Sequence, residues 1–333
     1  MDTEHPFSLP RRESLKRLAA AGLAVSGVSA LAQDAWPSKP IRWITPFAAG
    51  GTSSIVARSV ATELTKQMGV PFIVDNKGGG GGVPAMQELL RAPADGYTII
   101  MSHIGLMAVN PLIYPDSGYD VNKDFVPVTL LSRVPSLFVV HKDVPVTDLK
   151  SLIAYAKARP GQLNYASAGN ASAGHLAWEA LKLATGMFIT HIPYRGTGPA
   201  LNDVLAGRIE LFSAGTPALL PHIKSGSLRC IAVGTPNRIA VLPDVATVAE
   251  SGYPGFETVQ WYGIHARAGT PPDIINRLQQ ECAKALRAPD VVARFASESA
   301  IPGGGPAAEY GAFVASEQRR WKEVVLKARI KAG

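Results

Sequence analysis

Ile41-Arg42-Trp43-Ile44-Thr45-Pro46-Phe47-Ala48-Ala49-Gly50-Gly51-Thr52-Ser53-Ser54 runs from a β-like apolar stretch directly into a segment of helical period. Ile41 to Pro46 reads as a strand. From Ser54 to Met68 the apolar residues Ile55, Val56, Val60, Ala61 and Leu64 fall on about one face of a helix. Phe72-Ile73-Val74 is the next strand, Gly78 to Gly82 turns the chain, a helix runs through Met86 to Arg91, and Tyr97 to Ser102 is a third strand. This βαβαβ order predicts an α/β fold with a parallel, doubly wound sheet.

A second βα series starts near Leu137 to His141. Helices are expected from Thr147-Asp148-Leu149-Lys150, over Ser172 to Thr185, over Pro199 to Ala206 and over Leu219 to Ser225, alternating with strands at Leu163 to Ala166, His191 to Tyr194, Ile209 to Ser213 and Leu228 to Gly234. After a strand at Trp261 to Ala266 the tail from Pro271 to Lys331 is mostly helical, with Pro272-Asp273 fitting a helix start. The expected organisation is two doubly wound lobes joined by crossing strands, residues 33–136 and 258–333 forming the first and 137–257 the second. Open α/β sheets bind ligands at the carboxyl ends of their strands, and interdomain clefts are preferred pockets, so a ligand is expected between the lobes.

The first 32 residues stand apart. Arg11-Arg12-Glu13-Ser14-Leu15-Lys16 is basic, Leu18 to Ala32 is apolar, and Ala30-Leu31-Ala32 places small residues where a signal peptidase needs them. This is the order of a cleaved export signal with cleavage after Ala32. Arg11-Arg12 followed by Leu15-Lys16 resembles a twin-arginine signal, with a Sec signal as the alternative. Without the signal, 29 Lys+Arg face 23 Asp+Glu, a net +6. The basic residues are dispersed and not interleaved with aromatics, which points away from nucleic acid and toward a mild preference for anions. With 47% hydrophobic and 18% charged residues the chain has the balance of a globular protein with a large core, not of a disordered one. Cys230 and Cys282 are too few and too distant for a disulfide framework or a thiolate metal site, and read as buried free thiols.

Two segments carry the strongest chemical signal. In Phe47 to Ser54 the glycines Gly50 and Gly51 let backbone approach a ligand, Thr52, Ser53 and Ser54 add hydroxyls, and the helix start offers unpaired N–H groups to an anion. Ser167-Ala168-Gly169-Asn170-Ala171-Ser172-Ala173-Gly174-His175 repeats the design in the second lobe. Such a pair can clamp a carboxylate by hydrogen bonds without a salt bridge. An alternative is a serine hydrolase using Ser172 and His175. However, Asn170-Ala171-Ser172-Ala173-Gly174 lacks the first glycine of G-x-S-x-G, and His175 lies only three residues along the same helix, as a packed histidine would. The other histidines of the mature chain, His103, His141, His191, His222 and His265, form no i, i+4 pair and no H-E-x-x-H, so no metal site is expected. Gly78 to Gly82 completes neither a P-loop nor G-x-G-x-x-G, and no cofactor is expected.

Nine short motifs in order resemble the substrate-binding receptors of tripartite tricarboxylate transporters, the Bug family. They are Pro46-Phe47 with Gly50-Gly51 and Ala57-Arg58; Asn76-Lys77; Asp95-Gly96-Tyr97-Thr98; Asn164-Tyr165-Ala166-Ser167; His175-Leu176-Ala177; and Pro193-Tyr194-Arg195-Gly196-Thr197. Leu242-Pro243-Asp244-Val245, Glu250-Ser251-Gly252-Tyr253-Pro254-Gly255 and Trp261-Tyr262-Gly263 complete the set. The resemblance implies a two-lobed Venus flytrap of the type II periplasmic binding kind and a carboxylate ligand. It implies that the turns Phe47 to Ser54 and Ser167 to Ser172 hold that ligand partly through water, with Tyr194, Arg195, Gly196, Gly215, Thr216 and Trp261 near the cleft; Ser102 and His175 are expected among the ligand-binding residues as well. It also implies a periplasmic receptor, not an enzyme, monomeric, serving a membrane permease of two subunits, with a periplasmic sensor as the alternative role. Two departures bear on ligand choice. Ser54 stands where the family commonly has aspartate, which disfavours an amino acid ligand, and Ala171 stands where it commonly has glycine, which adds a methyl and limits backbone torsion.

Overall fold

Alternating apolar strands and one-faced helices fix the first half of the molecule. In the computed structural model, which describes residues 1–2 and 36–332, β1 (Ile41–Thr45) is followed by helix α1 (Thr52–Met68), β2 (Phe72–Asn76), α2 (Val83–Arg91) and β3 (Thr98–His103). Both β2 and β3 pair with β1 in parallel. Residues 3–32, where an export signal is expected, lie outside the described residues; every element of the fold lies in Lys39–Gly333. No helix among the described residues is long and apolar enough to cross a membrane.

After β3 come a π-helical turn (Gly105–Val109), the short α3 (Asn110–Ile113) and the 17-residue strand β4 (Phe125–His141). The chain then alternates through α4 (Leu149–Lys157), β5 (Asn164–Ser167), α5 (Ala173–Thr185), β6 (Thr190–Pro193), α6 (Thr197–Leu205), β7 (Leu211–Gly215), α7 (Thr216–Lys224) and β8 (Leu228–Val233). It returns through β9 (Val259–Arg267), and α8 (Pro272–Ala285), α9 (Pro289–Ser297), β10 (Ile301–Pro302) and α10 (Ala307–Lys327) complete it. Local chemistry sets many of these limits: Asp148 caps α4 in a reciprocal box with Ser151, and Gly69 and Gly186 end α1 and α5 in the left-handed conformation.

The strand order is β2-β1-β3-β9-β4-β7-β5-β6. Its outer parts are parallel, as the βαβ order predicts, but β9 lies antiparallel to both β3 and β4 at the centre. The expected strand at Leu137 to His141 is the second part of β4. Along Phe125–Pro135 that strand pairs with β9; along Ser136–His141 it pairs with β7 and β8. One strand therefore belongs to both halves of the sheet. Its first part escapes a periodicity reading because prolines and two register shifts, at Pro127/Thr129 and Leu130/Ser132, break the alternation.

The second part of β4 is buried on both faces, which is why Leu137 to Val140 is continuously apolar. Phe138 and Val140 pack into a core with Trp178 and Tyr165, whereas Leu137 and Val139 pack into another with Phe212 and Val204. Cys230 and Cys282 are free, buried thiols, each pushed up to about 12 chiefly by desolvation.

Helix α10 returns to the first half and is pinned to the sheet by buried polar groups. The Trp261 and Trp321 indole N–H groups donate to the Glu317 carboxylate at 2.9 and 3.2 Å, and the Ser102 hydroxyl lies 2.8 Å from the Tyr310 hydroxyl and 2.7 Å from His265 Nδ1. The Tyr310 ring lies flat against the space over Gly263, where an added Cβ would sit 2.2 Å from ring atoms. Gly263→Ala is therefore expected to lower stability by at least about 2 kcal/mol through overpacking, read from urea unfolding; an unchanged midpoint would show that Tyr310 moves aside freely.

Candidate functional site

Two strand-to-helix turns face each other at the carboxyl ends of β1 and β5. A cavity lies between them. The first half contributes Phe47 and Ser53 from the β1–α1 turn, His103 from the end of β3, and Gln260, Trp261 and Tyr262 from β9. The second half contributes Ala168, Ser172, Ala173 and Gly174 around the start of α5, Thr197 at the start of α6, and Ser213 and Ala214 from β7. The cavity is tight: about 20 Å³ is open to the centre of a water molecule, room for one or two waters.

The helices α1, α5 and α6 all begin at this cavity, so their first, unpaired N–H groups and positive dipole ends converge on it from both halves. None of the lining residues is Asp, Glu, Lys or Arg. His103 sharpens the polarity. Its Nδ1 accepts the Gly105 N–H at 3.0 Å, so the neutral ring carries its proton on Nε2. Burial holds the ring neutral by lowering its pKa to about 3. That Nε2–H and the Ser213 hydroxyl are buried without a hydrogen-bond partner among the described residues. Buried donors without a partner are rare in folded proteins and call for an acceptor supplied from outside the chain.

A second, wider chamber shares Phe47, His103 and Ala168 with the first, and about 300 Å³ of it is open by the same measure. It is bordered by the Gly79 to Gly82 turn, Tyr114, Gly169, Asn170, Tyr194 and Arg195. Tyr114 and Asn170 reach this chamber from opposite halves. The Arg195 side chain is exposed at this mouth.

The expected site residues separate into three groups. Phe47, Ser53, Ser172 and Trp261 line the tight cavity, and Gly169, Asn170, Tyr194 and Arg195 line the outer chamber with Phe47. Gly50, Gly51, Thr52, Gly196, Gly215 and Thr216 lie behind these walls, where the halves meet: a Cβ at Gly51 would come 2.8 Å from Thr197, one at Gly196 2.8 Å from the Ala48 nitrogen, and one at Gly215 2.7 Å from the Thr52 hydroxyl. Ser54, Ser102, Ser167 and His175 line neither space, because each is held elsewhere. Ser54 accepts from Asn76 at 2.7 Å, Ser102 belongs to the network under α10, Ser167 lies 2.6 Å from His191 Nε2, and the His175 ring faces away from Ser172 and accepts the Ala171 N–H at 3.1 Å. The Ser172 hydroxyl instead caps α5 by accepting the His175 N–H, so these two side chains do not form a nucleophile and base pair. His103, Ser213 and Gln260 are lining residues outside every motif, and Thr197 and Tyr262 line the cavity from within two of the motifs without having been expected there.

The model of the tripartite tricarboxylate transporter family receptors matches residues 56–330. The chain belongs to that family. Among relatives of this receptor family, the protein BugT of Bordetella pertussis (strain Tohama I) is 37% identical over 311 residues, covering 93% of this chain and 95% of BugT. R. palustris Rpa4515 with adipate superimposes with a TM-score of 0.86 at 38% identity, covering 89% of this chain and 99% of that one. MatC (Rpa3494) from Rhodopseudomonas palustris with bound malate gives 0.83 at 31% identity, covering 87% and 100%. The family and the two-lobed receptor fold read from the nine motifs are thereby shown.

The receptor's two halves touch at backbone distance around the cavity. The Ala48 N–H donates to the Arg195 carbonyl at 3.2 Å, and Gly198 approaches so near that an added Cβ would lie 2.5 Å from the Ala49 carbonyl oxygen. Gly198 is inside α6, where alanine is the better helix former. Gly198→Ala is expected to leave circular dichroism and melting temperature intact or slightly raised while small-angle scattering shows the halves parted; an unchanged scattering profile would show that this contact does not limit their approach.

Proposed function

We propose that this receptor captures a small carboxylate, one end in the tight cavity and the remainder in the outer chamber, and presents it to a membrane permease of two subunits. The observation that carries the reading is the pair of buried, partnerless groups, His103 Nε2–H and the Ser213 hydroxyl, in an uncharged cavity where three helix starts converge. A carboxylate supplies the acceptors they lack, and the dipole ends stabilise its charge without a buried salt bridge. The adipate and malate bound by similar receptors support a di-acid, and Arg195 at the outer mouth suits its second carboxylate.

Residues 33–136 with 258–333 and residues 137–257 act as the two closing lobes in this reading, with Phe47 and Ser53 of the first turn on one lip and Gly169, Asn170 and Ser172 of the second on the other. No bond is made or broken. The protein is a periplasmic monomer, released from its signal after Ala32 and exported with Arg11-Arg12 as the recognition pair.

A thermal-shift screen of mono-, di- and tricarboxylates tests the ligand class, since a bound compound at a hundred times its dissociation constant stabilises by about 2.7 kcal/mol. For a di-acid found in this way, His103→Leu should weaken binding about tenfold or more by removing a buried donor. Arg195→Ala should weaken it less, and more so at low salt, while leaving the matching mono-acid unaffected. Full affinity in His103→Leu would remove the tight cavity from the binding site.

A further inference from the structure

Behind the second turn, and outside both chambers, two imidazoles lie face to face. The rings of His175, on α5, and His191, on β6, are 4.0 Å apart and inclined by 7°, and the Tyr165 ring of β5 lies beside the pair, 4.9 Å from His191 and 6.4 Å from His175. Each histidine fastens one end of the turn. His175 Nδ1 accepts the Ala171 N–H at 3.1 Å, and His191 Nε2 lies 2.6 Å from the Ser167 hydroxyl, which in turn accepts the Gly169 N–H at 3.1 Å.

The turn needs fastening. Ala171 has φ 59, a left-handed conformation that an L-residue with a Cβ adopts at a cost of roughly 1 kcal/mol. Its carbonyl oxygen also abuts the other half of the molecule, where a Cβ at Gly105 would come within 2.3 Å of it. A shift at Ala171 therefore moves the start of α5 in the cavity wall and the contact between halves together.

We propose that the stacked His175–His191 pair is the positioning device of the ligand turn, holding Gly169 to Ser172 in binding shape while both rings are neutral and loosening the grip on the carboxylate when acid protonates them. This rests on the reading that the turn holds a carboxylate. A proton on His175 Nδ1 replaces the acceptor facing the Ala171 N–H with a second donor, and two imidazolium rings at stacking distance repel. The titratable and charged groups facing the pair are Tyr165 from β5 and Glu179 and Lys182 from α5. The Tyr165 hydroxyl is hydrogen-bonded to Glu179, whose carboxylate also accepts from Lys182 at 2.7 Å. Desolvation first, then the Lys182 charge, lowers His175 to about 4; desolvation, then His175, outweighs the raising effect of Glu179 and takes His191 to about 3. The neutral pair is thus the neutral-pH state, and the loosening belongs to an acidified exterior.

The test uses the mature protein with adipate as the probe, and the variants His175→Asn, whose Oδ1 can stand in for Nδ1 as an acceptor that takes no proton, and His191→Gln. Adipate affinity is measured by calorimetry at pH 7 and about pH 3, where protonation of adipate itself is common to all the proteins, and the His175 imidazole and the Ala171 amide are followed by NMR over the same range. The parent should lose about tenfold more affinity on acidification than His175→Asn, the worth of about one hydrogen bond, with His191→Gln intermediate. The Ala171 amide should shift with the midpoint of the His175 ring. Equal losses in parent and His175→Asn, or an Ala171 amide that ignores the His175 titration, would overturn the proposal. If adipate and other di-acids fail to bind any of the proteins at pH 7, the carboxylate reading fails, and the amide and imidazole titration still decides the role of the pair.

Discussion

A helix leaves its first N–H groups without internal partners, and a fold that buries such groups must find acceptors for them elsewhere. Here three helices begin at one small cavity, and two further groups, His103 Nε2–H and the Ser213 hydroxyl, belong to its lining residues and have no partner among the described residues. That single requirement organises the rest. The βα units put α1, α5 and α6 at the carboxyl ends of their strands, the shared strand β4 brings the two sets of ends face to face, and glycine at Gly198 and Gly105 lets the backbones come close enough to close the space.

The sharing of β4 between the two sheet halves explains how the molecule is both one hydrogen-bonded sheet and two separately cored halves. Phe125–Pro135 is tied to β9 and Ser136–His141 to β7 and β8, so any relative motion of the halves bends the strands near Pro135 and Ser136 instead of breaking a core. The cores on either face of the second half take no residue from the first, whereas the large core of the first half takes in Ala171 and Leu176. Those two belong to the turn Ser167 to Ser172 and the helix after it. This apolar contact crosses between the halves beside the cavity, and its burial favours the arrangement in which the turn is in place.

The two turns were legible because a strand, a glycine and hydroxyl run, and a helix follow one another within about fifteen residues, and each element announces itself by its own period. The residues opposite them were not. Ser213, Gln260 and Tyr262 reach the cavity through the order of strands in the sheet, which no local spacing encodes. The choice of Ser102 over His103 shows the limit most plainly: successive strand residues point to opposite faces, so an error of one position exchanges the network under α10 for the wall of the cavity. The antiparallel insertion of β9 was hidden likewise, since a strand carries no mark of its direction relative to a partner more than a hundred residues away. The two departures from the family's usual residues had local consequences that only three dimensions specify. Ser54 is drawn off by Asn76, and Ala171 turns its methyl into the first half's core while taking up a conformation more natural to glycine.

An uncharged cage has a consequence that an arginine in the same place would not. A buried cation attracts an anion whether or not the halves are together, and its own desolvation must be compensated when no anion is there. Dipoles and neutral donors carry little such penalty, but each is weak and short in range, so they hold an anion strongly only when several surround it at once. The donors here are divided between the halves: α1 and His103 on one, α5, α6 and Ser213 on the other. Parting the halves removes about half of the cage from any guest and opens the remainder to water. Grip and closure are thus the same event, which is the property a carrier needs if a partner that reads its shape is to find the guest held in one form and released in the other.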